Sequence, residues 1–191
     1  MPNCAFETCS WRNEDEQNVG PKSSTVRFDF SRICWRGLGQ HGRSVAKDHH
    51  RLKMQFAEWY NEQFRQTLHE PLQPSDGMPE SEIENALGGK SVPAAMRAYY
   101  GVVGKHWINT NHNHLRELSA LETVGDYTIF MDENQVVAQW AIRNSDLNRE
   151  DPTIYQGQLT DSSYQWYPEK YTFSTFMIAM WRWILTGEDP E

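Results

Sequence analysis

The chain reads as an α+β domain, helices packed on an antiparallel sheet, over residues 80–187. Three observations predict it. Two strand-like runs, Tyr127–Met131 and Gln135–Ile142, are joined by the polar triplet Asp132-Glu133-Asn134, a hairpin signature. Phe173, Phe176, Met177, Met180, Trp181 and Ile184 recur with the i, i+3, i+4, i+7 rhythm of a helix buried on a core. The order helix, helix, hairpin, strands, helix fits an antiparallel sheet and lacks the strand–helix alternation of a parallel one.

Residues 1–43 are polar and irregular, apart from a strand-like alternation at Val26, Phe28 and Phe30, and read as a partly ordered extension. Residues 44–79 read as a helix followed by a linker. Val45, Leu52, Phe56, Trp59, Tyr60, Phe64 and Leu68 mark the helical stripe, and Glu70-Pro71 and Pro74-Ser75-Asp76-Gly77 supply turn chemistry. Ser81 and Glu84 have the spacing of a capping box for a short helix carrying Ile83 and Leu87, with Gly88-Gly89 as its left-handed stop. A second short helix opens at Pro93, carries Met96, Tyr99 and Tyr100, and is expected to stop at Gly101 and Gly104.

In the second hairpin strand Val136, Ala138, Trp140 and Ile142 share one face, and Trp140 is expected in the core. Thr153–Tyr155 and Tyr164–Tyr167 are extended pieces that can join the sheet. Thr172 caps the last helix, Gly187 ends it, and Thr175, Ala179, Arg182 and Thr186 are left as its solvent stripe.

Charge is unevenly divided. Residues 1–53 carry +3 and residues 54–191 carry −11, together the formal net charge of −8. An acidic domain repels phosphate, which argues against a nucleic-acid partner and favours a basic one. Glu7 and the lack of an apolar stretch near Met1 argue against a secretory signal. The apolar run Phe176–Trp181, even extended to Leu185, is short of the ~18–20 residues a membrane span needs. A cytoplasmic protein with no membrane contact is the expectation.

Motifs with chemistry are sparse. Gly37-Leu38-Gly39-Gln40-His41-Gly42 matches the dinucleotide fingerprint but lacks the strand and helix that give it meaning. Cys4, Cys9 and Cys34 are odd in number and, with His41, too loosely spaced for a zinc site. His106, His112 and His114 are the basis of a minor reading as a metal-dependent hydrolase, but no acidic partner stands at ligand spacing. His49-His50 point about 100° apart on a helix. No catalytic residue, metal or cofactor is assigned.

From Glu84-Asn85-Ala86-Leu87-Gly88, through Val92-Pro93, Tyr99, Tyr100 and Gly104, the chain resembles the SUKH superfamily of cell-wall synthesis regulators and bacterial immunity proteins. The resemblance continues through Tyr127–Phe130, Glu133-Asn134-Gln135, Trp140-Ala141-Ile142, Asp151-Pro152, Trp166 and the helix Phe173–Trp183. It implies an α+β fold and a non-enzymatic role: an immunity-type protein that binds and neutralises a toxin domain, with a basic toxin or nuclease domain as partner. An intracellular scaffold or regulator without a toxin is the alternative. Partner-binding residues do not carry over from the family. On chemistry alone the candidates are Asp132, Glu133 and Asn134 at the hairpin tip, and Asp151, Tyr155 and Trp166 around the later strands.

Overall fold

The computed structural model describes residues 45–160 and 163–187. The expected strand at Thr25–Phe30, the glycine loop at Gly37–Gly42 and the cysteines therefore lie outside the described residues. Four helices and six strands follow in the order α1 (Val45–Leu68), α2 (Glu80–Leu87), α3 (Ala94–Val103), β1 (His114–Leu115), β2 (Glu122–Val124), β3 (Tyr127–Asp132), β4 (Ala138–Arg143), β5 (Thr153–Leu159), β6 (Tyr164–Thr172) and α4 (Phe173–Thr186). Every strand pairing is antiparallel, in the order β1-β3-β4-β5-β6 with β2 also on β3. The fold is thus α+β with helices on an antiparallel sheet. No helix among the described residues is long and apolar enough to cross a membrane.

The core lies between the helices and one sheet face. Tyr60 and Phe64 of α1, Ile83 and Leu87 of α2, Tyr99 and Val103 of α3, and Phe176 and Trp181 of α4 share one buried cluster with Phe130, Trp140, Ile142 and Ile154. The segment read as helix and linker thus puts two fully buried rings into that core, Tyr60 and Phe64. A bulge in β3 between Ile129 and Met131 turns Phe130 onto Phe173, with ring centroids 5.1 Å apart.

Helix ends follow local chemistry. α1 stops where His69 enters the left-handed region at φ 60, just before Pro71. Gly88 at φ 56 and Gly187 at φ 70 terminate α2 and α4, as the glycine positions predict. α2, however, starts one residue earlier than its apparent cap, with Pro79 at the N-cap, so Ser81 lies inside the helix. Glu84 instead pairs with Arg97 of α3, which also holds Glu80 at 2.6 Å. α3 runs on through Gly101 to Val103. The glycine that packing requires is Gly77, where a Cβ would collide with the Gly101 carbonyl. That contact is secured by hydrogen bonds from Met78 N–H to the Tyr100 carbonyl (2.9 Å) and from Lys105 N–H to the Asp76 carbonyl (2.8 Å).

Two exposure expectations change. Ala179 is buried at 6 %, leaving Thr175, Arg182 and Thr186 outside. Val136 leaves the strand, because the hairpin turn is five residues long: Glu133 N–H bonds Ala138 O, and Val136 N–H bonds Glu133 O. Val136 sits there at φ 60 and is exposed.

His106 packs edge-on against Phe64 at 4.9 Å and accepts the Ile108 N–H on Nδ1 at 3.3 Å. Burial lowers its pKa, against the opposing pull of Asp76 and Glu70. The folded state therefore holds fewer protons than the unfolded chain. Stability from this site is complete above about pH 6.5 and falls as pH drops through the folded value, by at most about 1.4 kcal/mol per pH unit. Urea melts between pH 7 and pH 5 should show this loss, and His106→Asn should flatten it. An unchanged slope in the variant would refute the assignment.

Candidate partner-binding face

The sheet face turned away from the helices carries a cluster of rings. Register places Tyr127, Ile129, Ala141, Arg143, Tyr155, Gly157 and Trp166 on that face. Ile129 and Ala141 are buried there yet lie outside the helix-facing cluster. The Trp166 ring stacks on Tyr127 with centroids 4.6 Å apart at 16°, and on Tyr164 at 5.5 Å and 29°. Tyr155 meets Tyr127 edge-on at 5.2 Å. The Arg143 guanidinium lies over Tyr155 at 4.9 Å and Tyr127 at 5.7 Å.

Gly157 explains the position of Trp166. A Cβ at residue 157 would sit 2.5 Å from Cζ3 of the indole, so the ring lies flat over bare backbone. Beside the cluster is a groove of about 520 Å³. All four clustered rings are half-buried, a state that suits residues with an apolar body and a polar edge.

Next to the rings on this face is a polar network. Arg116 donates to both carboxylate oxygens of Asp132 (2.7 and 2.8 Å) and to Glu122 (2.9 Å). Gln139 Nε2 donates to Asp132 Oδ1 at 2.6 Å. Burial works against the charge of Asp132, but the hydrogen bonds from Arg116 and Gln139 outweigh it and hold the carboxyl below its ordinary value. The Oε1 of Gln139 is buried without a partner among the described residues.

The six sequence candidates separate. Asp132, Tyr155 and Trp166 come together on the outer face. Asp132 is the last residue of β3 and not the tip itself. Glu133 and Asn134 are in the turn: the Glu133 carboxylate accepts the Gln135 N–H at 2.7 Å, and Asn134 lies 3.4 Å from His112 Nδ1. Asp151 is elsewhere, accepting the Ser174 N–H (2.9 Å) and hydroxyl (2.6 Å) at the start of α4, where a carboxylate suits the helix dipole.

Tyr127 and Tyr164 read only as strand starts and not as site residues, and Arg143 and Gly157 escaped the sequence reading. Alternation marks Tyr127 with Ile129, and Tyr164 with Trp166, as sharing a face. Which strands lie side by side is set by register, and alternation does not encode that.

The histidines do not converge. His112 packs on Trp183 at 4.5 Å, His106 is against Phe64, and His114 is opposite Asp132. Among the described residues no group of three His, Cys, Asp or Glu side chains could hold a metal ion. No family model, curated protein or solved structure matches this chain.

Proposed function

We propose that this chain is a non-enzymatic, SUKH-type protein-binding domain that neutralises a basic toxin or nuclease domain by engaging it through the outer sheet face. The observation that carries the reading is the half-buried cluster of Tyr127, Tyr155, Tyr164 and Trp166 on a face where no described helix packs. Aromatic residues and arginine are enriched where interfaces bury their centres, and here both are already held in fixed geometry. The −11 charge of residues 54–191 adds attraction to a positive partner. The resemblance of residues 84–183 to immunity proteins supplies the toxin. Asp132 supports the face by anchoring Arg116, and Glu133 shapes the turn beside it.

The test is capture from native lysate with the wild-type chain and with Trp166→Ala and Tyr155→Ala, each checked for retained folding. One basic partner should be captured by wild type and lost from both variants. Its expression alone should arrest growth, and co-expression of the wild-type chain should relieve the arrest. Capture that both variants leave intact, or a partner that is harmless when expressed, refutes the proposal.

A further inference from the structure

The groove beside the ring cluster has a narrower chemistry than a general contact surface. It is lined by Val124, Asp126, Tyr127, Leu159, Tyr164 and Trp166, with Gly125 and Ser163. It is broadly open to solvent, and its volume of about 520 Å³ leaves room for a single side chain. Asp126 is the charged side chain in that lining, it is exposed, and among the described residues its carboxylate enters no ion pair or hydrogen bond. Three aromatic walls with a carboxylate beside them form a recognition set for a cation, because ring faces are electron-rich.

A guanidinium fits this set better than an ammonium does. It is planar, so it can lie flat on an indole or phenol ring, and it can direct two parallel N–H groups at one carboxylate. The same face already holds one: Arg143 lies over Tyr155 and Tyr127, at the other end of the cluster from Tyr164 and Leu159. An acidic domain draws basic side chains to this surface. We infer that the groove receives an arginine side chain of the partner protein, stacked on Tyr164, the ring that Trp166 backs, and paired with Asp126. This rests on the proposed partner-binding role and names the chemistry of its contact.

The experiment titrates the intact chain with acetyl-Gly-Arg-Gly-amide, the corresponding lysine peptide and the neutral citrulline peptide. It follows the indole N–H resonance of Trp166, assigned by its loss in Trp166→Tyr. The arginine peptide should shift that resonance saturably, and the citrulline peptide should leave it in place. In the variants affinity is read from the arginine proton resonances of the peptide itself, which need no tryptophan at 166: Asp126→Asn and Trp166→Ala should each weaken binding by about tenfold. Trp166→Tyr, which keeps a ring, should retain it. Trp107→Ala, half-exposed on a separate turn, should bind as wild type does.

Equal response to citrulline, equal affinity for lysine, or full binding by Asp126→Asn overturns the assignment. Lost partner capture in Trp166→Ala without any arginine-peptide binding would overturn this inference alone and leave the partner-binding face standing. Arginine-peptide binding with partner capture unaffected by Trp166→Ala would overturn the partner-binding face and, with it, the assignment of the guanidinium to the partner.

Discussion

Tyr99→Phe is expected to destabilise the domain by about 3 kcal/mol, although it removes a single oxygen. The hydroxyl is the middle of a buried chain. It accepts from Trp181 Nε1 at 2.9 Å and donates to Asn109 Oδ1 at 2.6 Å, while Asn109 Nδ2 donates to the Val103 carbonyl at 2.6 Å. Burial pushes the Tyr99 pKa up, so the proton stays on the oxygen and the donor role is kept. Phenylalanine would fill the same space and leave two buried groups without partners, the indole N–H of Trp181 and the amide oxygen of Asn109. Each orphan costs about 1–3 kcal/mol. Around this chain Tyr60 meets the Tyr99 ring at 5.2 Å and Phe64 meets Trp181 at 5.3 Å, so little room remains for water. Urea denaturation should show a lower midpoint with an unchanged slope. Tyr167→Phe, at an exposed ring, should be neutral. A Tyr99→Phe loss below about 1 kcal/mol would show that water or a rearranged Asn109 replaces the hydroxyl.

Arg116→Met should cost a similar amount, about 3 kcal/mol, for an electrostatic reason. The side chains of Arg116 and Asp132 are only 16 % and 21 % exposed. Methionine preserves much of the volume and leaves Asp132 with Gln139 as its partner. With the guanidinium gone, burial is no longer offset, and the Asp132 pKa should rise above that of the unfolded chain. The sign of the pH response then inverts. In wild type the lowered pKa contributes stability that is present above about pH 4 and lost as pH falls through the folded value. In the variant the folded state binds the extra proton, so its deficit should shrink as pH falls from 7 to 5. The double variant Arg116→Met, Asp132→Asn should recover most of the loss at pH 7. Additive losses in the double variant would show that the packing of Arg116, and not its charge, is what stabilises.

These two sites also show what a sequence reader can and cannot see. The terminal helix was legible because its apolar residues repeat locally and are bounded by Thr172 and Gly187. Tyr99 was legible as a helical core residue, but its hydrogen-bond partners are 10 and 82 positions away. Asp132 read as a hairpin-tip acid because three polar residues usually make a tip. The turn is longer, and the acid falls at the strand end, where the Arg116 side chain reaches it.

Local pattern carries an element's type because helix and strand periods repeat within a few residues, and it carries element ends where glycine or proline restricts the backbone. From that alone follow the α+β class, the hairpin, the buried last helix and the acidic balance after residue 53. Tertiary structure alone decided that α1 joins the core through Tyr60 and Phe64, that Asp151 is bound to a helix start, and that Trp166 lies over Gly157 against Tyr127. Each is a meeting of distant residues, fixed by strand register and by side-chain packing around the bulge at Phe130. Neither leaves a periodic trace in the chain.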